Sequence, residues 1–126
     1  MKFLGLDYGH KKIGIAVSDE EGRLAFPHSV IPTNGESLKK IISLCRKEKV
    51  DQVVMGESRD LKGQPNPVYE ASRLFAESLS KELNIEVKFE PEFYTTWEAE
   101  RILGRGEDLD ARAAAIILRS FLEKRR

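Results

Sequence analysis

The sequence predicts an α/β domain built on a mixed five-stranded sheet with helices on both faces. Two observations predict it. Three strand signals open the chain, joined by turns too short for a crossover, so they run antiparallel. Two more strand signals follow, each preceded by an amphipathic helical stretch long enough to carry the chain across a sheet.

The first strand is Phe3, Leu4 and Leu6, ending at Asp7. A polar stretch, Asp7-Tyr8-Gly9-His10-Lys11-Lys12, supplies the turn. Ile13, Ile15 and Val17 then alternate with Lys12, Gly14, Ala16 and Ser18, the period of a half-buried strand. Glu20-Glu21-Gly22 is a turn. Leu24 to Ile31 reads as a third strand, broken at Pro27 and ended by Pro32, which puts it at a sheet edge or makes it irregular. Ser37 to Lys49 is an amphipathic helix carrying Leu38, Ile41, Ile42 and Cys45 on one face. Asp51 to Gly56 is a short apolar strand of the kind buried in a parallel sheet. Glu57 to Gln64 is a polar loop. Asn66 caps a helix with Pro67 in its first turn and Val68, Ala71, Phe75 and Leu79 on its core face. Asn84 ends it. Ile85, Val87 and Phe89 alternate with Glu86, Lys88 and Glu90 as the fifth strand. Thr95 and Glu98 make a capping box for a helix ending near Gly104. The last helix runs from about Leu109 to Glu123, with Ala114, Ile117, Leu118, Phe121 and Leu122 facing inward.

At 126 residues the chain is expected to form one domain, residues 1–126. The 40% hydrophobic content supports a core, and 33% charged residues a well-solvated surface. No apolar run approaches the roughly 18 residues a membrane span needs, and with a strand opening the sequence no signal peptide is expected. A single cysteine, Cys45, excludes an internal disulfide and fits a reducing cytoplasm; its helix face makes it core filler rather than a nucleophile. With 21 basic and 21 acidic residues the net charge is zero. That argues against tight, unaided binding to long nucleic acid. It leaves room for a nuclease, whose acidic metal site cancels part of a basic rim.

Three acids fall at element ends that such a sheet could bring together: Asp7 at the first strand, Glu92 after the fifth, and Asp110 in the first turn of the last helix. Carboxylate oxygens suit hard cations such as Mg²⁺. Each acid also has a plainer reading. Asp7 could start the turn, Glu92 could be a solvated loop residue, and Asp110 could favour a helix N-terminus through its dipole. Glu90 shares the parity of Glu92, so either could point at a site. Glu57 and Asp60 are further candidates. Gly14 and Ala16 would leave open space beside Asp7. His10 and His28 are isolated, and no Cys cluster or Ser/His/Asp arrangement competes.

Here the residues resemble a known family. Leu4-Gly5-Leu6-Asp7-Tyr8-Gly9 with Ile13-Gly14-Ile15-Ala16-Val17-Ser18-Asp19 looks like the opening signature of the YqgF/RuvX family. These are bacterial RNase H-like proteins described as Holliday junction resolvases and as pre-16S rRNA nucleases. Val53-Val54-Met55-Gly56 through Gly63 is similar to the family's strand, glycine and loop. Thr95-Thr96-Trp97-Glu98-Ala99 looks like its Thr-Thr-x-Glu-Ala stretch, and Asp110-Ala111-Arg112-Ala113-Ala114-Ala115-Ile116-Ile117-Leu118 like its last helix. The hairpin alone also resembles sugar kinases and actin-like ATPases, but that architecture needs two such domains.

The resemblance implies an RNase H-like three-layer domain and a Mg²⁺-dependent nuclease, with Mn²⁺ able to stand in. It assigns catalysis and metal binding to Asp7, Glu92 and Asp110. The implied partner is nucleic acid: structured RNA such as a ribosomal RNA precursor, with branched DNA as the alternative. Lys11, Lys12 and Arg112 are candidates to meet phosphates. Two departures bear on activity. Phe93 stands where the family has an arginine after its glutamate, and the proline usual after Gly56 is replaced by Glu57. A catalytically impaired nucleic-acid-binding module is the remaining alternative, and Arg101 or Arg112 would have to replace the lost arginine.

Overall fold

The computed structural model describes residues 1–57, 67–91 and 109–125. It contains β1 (Phe3–Tyr8), β2 (Lys12–Ser18), β3 (Ala25–Pro32), α1 (Ser37–Glu48), β4 (Gln52–Glu57), α2 (Pro67–Leu83), β5 (Val87–Pro91) and α3 (Leu109–Arg125). The sheet order is β3-β2-β1-β4-β5. β1–β2 and β2–β3 are antiparallel, whereas β1–β4 and β4–β5 are parallel. The mixed five-stranded sheet is therefore present. The capping residue Asn66 and the helix expected from Thr95 to Gly104 lie outside the described residues.

Alternation sorts each strand onto two faces. Leu4, Leu6, Ile13, Ile15, Val53 and Met55 pack with Ile41 and Cys45 of α1 and Ala76 and Leu79 of α2. Phe3, Ala16 and Val54 pack with Ala114, Ile117, Leu118 and Leu122 of α3. Fully burying one such Leu or Ile contributes about 1.5–3 kcal/mol. Among the described residues two helices thus cover one face and one covers the other. β4 is buried on both sides, as its unbroken apolar run predicts. On α2 the fully buried stripe is Ser72, Ala76 and Leu79, with Phe75 half-buried at its border. The stripe is rotated from the one its large residues suggest because Phe75 leans on the Tyr8 ring, 5.1 Å between centroids.

β3 is an edge strand, and its pairing slips where Ile15 faces Ser29 but Ala16 faces Pro27. Proline supplies no ladder donor, so the irregularity falls beside it. The opposite end of the hairpin is closed by Asp19, whose Oδ1 accepts the Arg23 N–H at 2.7 Å and the Leu24 N–H at 3.1 Å. The Leu24 and Arg23 amides hold Asp19 below the usual carboxylate range. Lys49 ends α1 and Asn84 follows α2, both with φ of 55°, the left-handed stop that a helix C-terminus favours. Among the described residues no helix is long and apolar enough to cross a membrane.

Candidate active site

β1 runs through the middle of the sheet and carries Asp7 one residue before its end. The strand extends past Asp7, where the sequence alone ends it, because Tyr8 still pairs with Ile13 and packs on Phe75. The Gly9 N–H donates to the Lys12 carbonyl at 2.9 Å and closes the turn over His10 and Lys11. Thr33, just after β3, pins this turn twice. Its hydroxyl donates to the Gly9 carbonyl at 2.8 Å, and its N–H to the Lys11 carbonyl at 2.9 Å. Lys11 and Lys12 are exposed at this anchored end, Lys11 within the turn and Lys12 at the start of β2.

Asp7 pairs directly with Gly14. Opposed residues of an antiparallel pair project to the same face, and at Gly14 that face is α3's. A Cβ at Gly14 would run into the Asp110 carbonyl and lie 3.0 Å from the Ala111 nitrogen. The space that Gly14 was expected to leave open is therefore filled by backbone. A glycine that looks like a vacancy in the sequence is the seat of the last helix. A second seat lies further down β1, where a Cβ at Gly5 would sit 2.8 Å from Leu118 Cβ and 3.0 Å from the Ala114 carbonyl. The two glycines let α3 lie close along β1 and β2, with its first turn at the Asp7 end. Asp7 and Asp110, 103 positions apart in the chain, are thus carried to the same face of the sheet, Asp7 by its pairing with Gly14 and the Asp110 backbone by its seat on that glycine. Both are half-buried.

The third sequence candidate, Glu92, lies outside the described residues, as do Asp60, Phe93 and Arg101. Among the described residues no three His, Cys, Asp or Glu side chains cluster as a metal site. Glu90 does reach the α3 face, but it is 3% exposed and committed elsewhere. Its Oε2 accepts from Ser120 Oγ at 2.8 Å and from Lys124 Nζ at 2.6 Å, in the far half of α3. Of the two acids that share parity on this strand, Glu90 is thus a structural tie to the helix. Glu57 ends β4, in line with the α1/α2 face by its alternation with Met55 and Val53. Arg112 follows Asp110 by half a turn and lines a groove with Pro27 of β3. Arg119 lines the same groove and was not singled out by sequence reasoning. Its seven-residue spacing from Arg112, two helical turns on one face, was the available signal.

Asp7, on the central strand, and Asp110, at a helix start, each carry hard carboxylate oxygens of the kind that suits a divalent cation. Among the described residues, the mixed sheet, the helix pair on one face and α3 on the other define an RNase H-like domain of the resolvase type. The solved structure of Thermus thermophilus RuvC in complex with Holliday junction substrate shares this fold, with a TM-score of 0.65 over 99% of this chain and 95% of that one at 17% identity. The chain belongs to the RuvX family, whose model, described as Holliday junction resolvase, matches residues 1–124. Relatives named "Putative pre-16S rRNA nuclease" are 38% identical in Pelotomaculum thermopropionicum, over 98% of this chain and 87% of the relative, and 36% identical in Halothermothrix orenii, over 97% and 94%.

Proposed function

We propose that this chain is a divalent-metal-dependent endonuclease that hydrolyses phosphodiesters of structured RNA, in processing the 5′ end of the 16S rRNA precursor. The observation that carries the reading is the seating of Asp110 on Gly14, opposite Asp7. It supports a shared acidic site that the wider sequence gives no other reason to assemble. Asp7, Asp110 and Glu92 would hold Mg²⁺, or Mn²⁺ in its place. When bound, the cation supplies Lewis-acid stabilisation of phosphate charge and lowers the pKa of a water.

The remaining work falls to the chain's own residues. Asp7 sits on a strand that pairs with β4 as far as Leu6 and with Gly14 of β2 at Asp7 itself, which holds its backbone in the sheet. Asp110 is held by a helix that packs along the sheet. Thr33 fixes the turn from which Lys11 and Lys12 would meet flanking phosphates, contacts that orient a substrate without reading its sequence. The names of the relatives favour ribosomal RNA, whereas the family description favours branched DNA; both substrates therefore belong in the test.

The test is cleavage of a pre-16S rRNA fragment and of a four-way DNA junction, with and without Mg²⁺, by wild type and Asp7→Asn. The variant keeps the shape and removes an anionic ligand. We expect at least about a hundredfold loss of Mg²⁺-dependent cleavage, the scale on which one lost transition-state contact acts. Circular dichroism should be unchanged. In metal-free buffer its melting temperature should equal or exceed that of wild type, because crowded carboxylates repel. Equal cleavage by Asp7→Asn would reduce Asp7 to a turn residue.

A further inference from the structure

A groove of about 350 Å³ runs between the edge strand β3 and helix α3. Ala25 and Pro27 form one wall, and Arg112, Ala115, Ile116 and Arg119 the other. Arg112 at one end of its lining lies two residues on from Asp110, whose backbone rests on Gly14; Gly14 pairs with Val30 of β3, and the strand then descends to Pro27 and Ala25. We propose that this groove seats a single-stranded nucleic-acid segment leading away from Asp7 and Asp110, with Arg112 and Arg119 on its phosphates. The inference rests on the nuclease reading for its direction but not for the binding itself.

Charge and shape point to this occupant. The whole chain is neutral, yet none of the groove's lining residues is acidic and two are arginines. Arg119 is 58% exposed, and its contact with Glu123 is long, 3.9 Å. A surface pair of that kind is worth little and yields readily to a phosphate, which an arginine can grip with two donors. Between the cations the surface is apolar, contributed by Pro27, Ala115 and Ile116. Alternating cationic and apolar surface is what a single strand presents a need for, with phosphates on one side and base faces on the other. Seven helical residues separate the arginines, about 10.5 Å along the axis at 1.5 Å per residue. At a rise of about 3.4 Å per nucleotide, that spans about three stacked nucleotides.

The rival occupant is a second copy of the chain adding a strand to the β3 edge. Pro27 removes a donor there and the ladder is already irregular beside it. Both features blunt an edge against pairing.

The experiment is fluorescence anisotropy of a labelled twelve-nucleotide single-stranded RNA in EDTA, across a salt series. The proteins are wild type, Arg119→Ala, Arg119→Glu and Arg73→Ala. Arg73 is an α2 residue paired with Glu70 and Glu77, away from the groove, and serves as the control. We expect Arg119→Ala to weaken binding about three- to tenfold and Arg119→Glu to weaken it more, with Arg73→Ala unchanged. The slope of log K against log salt should become shallower by about 0.7 for one lost phosphate contact on a single strand. Affinity and slope unchanged in Arg119→Glu would overturn the proposal. So would absence of binding by wild type, or a change confined to dimerisation on size exclusion. Because cations are chelated, the outcomes separate: Arg119-dependent binding without cleavage of any substrate sinks the nuclease reading and keeps the groove. Cleavage with binding indifferent to Arg119 does the reverse.

Discussion

At Gly14 the absence of one methyl group decides how near α3 comes to the sheet. The atoms a Cβ would meet are the Asp110 carbonyl and the Ala111 amide, which are backbone and cannot swing aside. Gly14→Ala therefore has to lift the first turn of α3 or bend β2. Overpacking of this kind costs about 1–3 kcal/mol, and here the strain falls on the residue that seats the Asp110 backbone on the sheet. The expected outcome is a lowered urea midpoint together with a drop in cleavage larger than the loss of folded protein explains. Gly35 is the control. Nothing lies within 4 Å of a Cβ built there and its φ is not in the left-handed region, so Gly35→Ala should be neutral or stabilising by up to about 1 kcal/mol. Equal effects at the two positions would mean that α3 is not seated on Gly14.

At the scale of elements, α3 is fastened at its far end by Glu90 of β5. The Glu90 side chain is 5% exposed, whereas that of Lys124 is 63% exposed. The two halves of the pair therefore respond differently. Lys124→Ala leaves a buried carboxylate that still accepts from Ser120, and should cost about 1–2 kcal/mol, less than for a fully buried pair because water still reaches that side. Glu90→Gln removes the charge but keeps a group that Ser120 can bond. A double-mutant cycle measured by urea unfolding should return a coupling of about 1 kcal/mol between Glu90 and Lys124. Additive single effects would show that the contact is incidental. The cycle also separates fastening from chemistry: Glu90 belongs to the scaffold, so Glu90→Gln should change cleavage only in proportion to stability.

Across the whole molecule, what the sequence reveals and what it hides divide along local and non-local lines. Alternation at Ile13, Ile15 and Val17, the prolines of β3 and the apolar run of β4 are local signals, and they place the hairpin, the edge strand and the buried parallel strand correctly. Which helix covers which face is not local. Nothing near Gly14 announces that a helix beginning at residue 109 will occupy it, and nothing near Glu90 announces Ser120 and Lys124. The acids Asp7 and Asp110 were legible as candidates because they stand at element ends; that both lie on the α3 face follows from α3 packing on Gly14. The same two-layer division makes Cys45 a reporter on the entire fold. It is 3% exposed in the layer between the sheet and the α1/α2 pair. Burial pushes its thiol from 9.0 up to about 12. An acid whose pKa is raised by folding keeps its proton in the native state while the unfolded chain loses it. Its effect on stability is nil below pH 9 and grows unfavourable as pH rises toward 12. At pH 10.5 the thiol should contribute a loss of about 1–2 kcal/mol, at 1.36 kcal/mol per unit. Lysines and tyrosines titrate in the same range, so the measurement is the difference between wild type and Cys45→Ala in urea unfolding free energy, taken at pH 8 and at pH 10.5. Wild type should lose more over that interval than the variant, and at pH 8 a thiol reagent should label native Cys45 only as fast as the protein opens. Parallel losses, or labelling as fast as in urea, would show that the layer around Cys45 admits water.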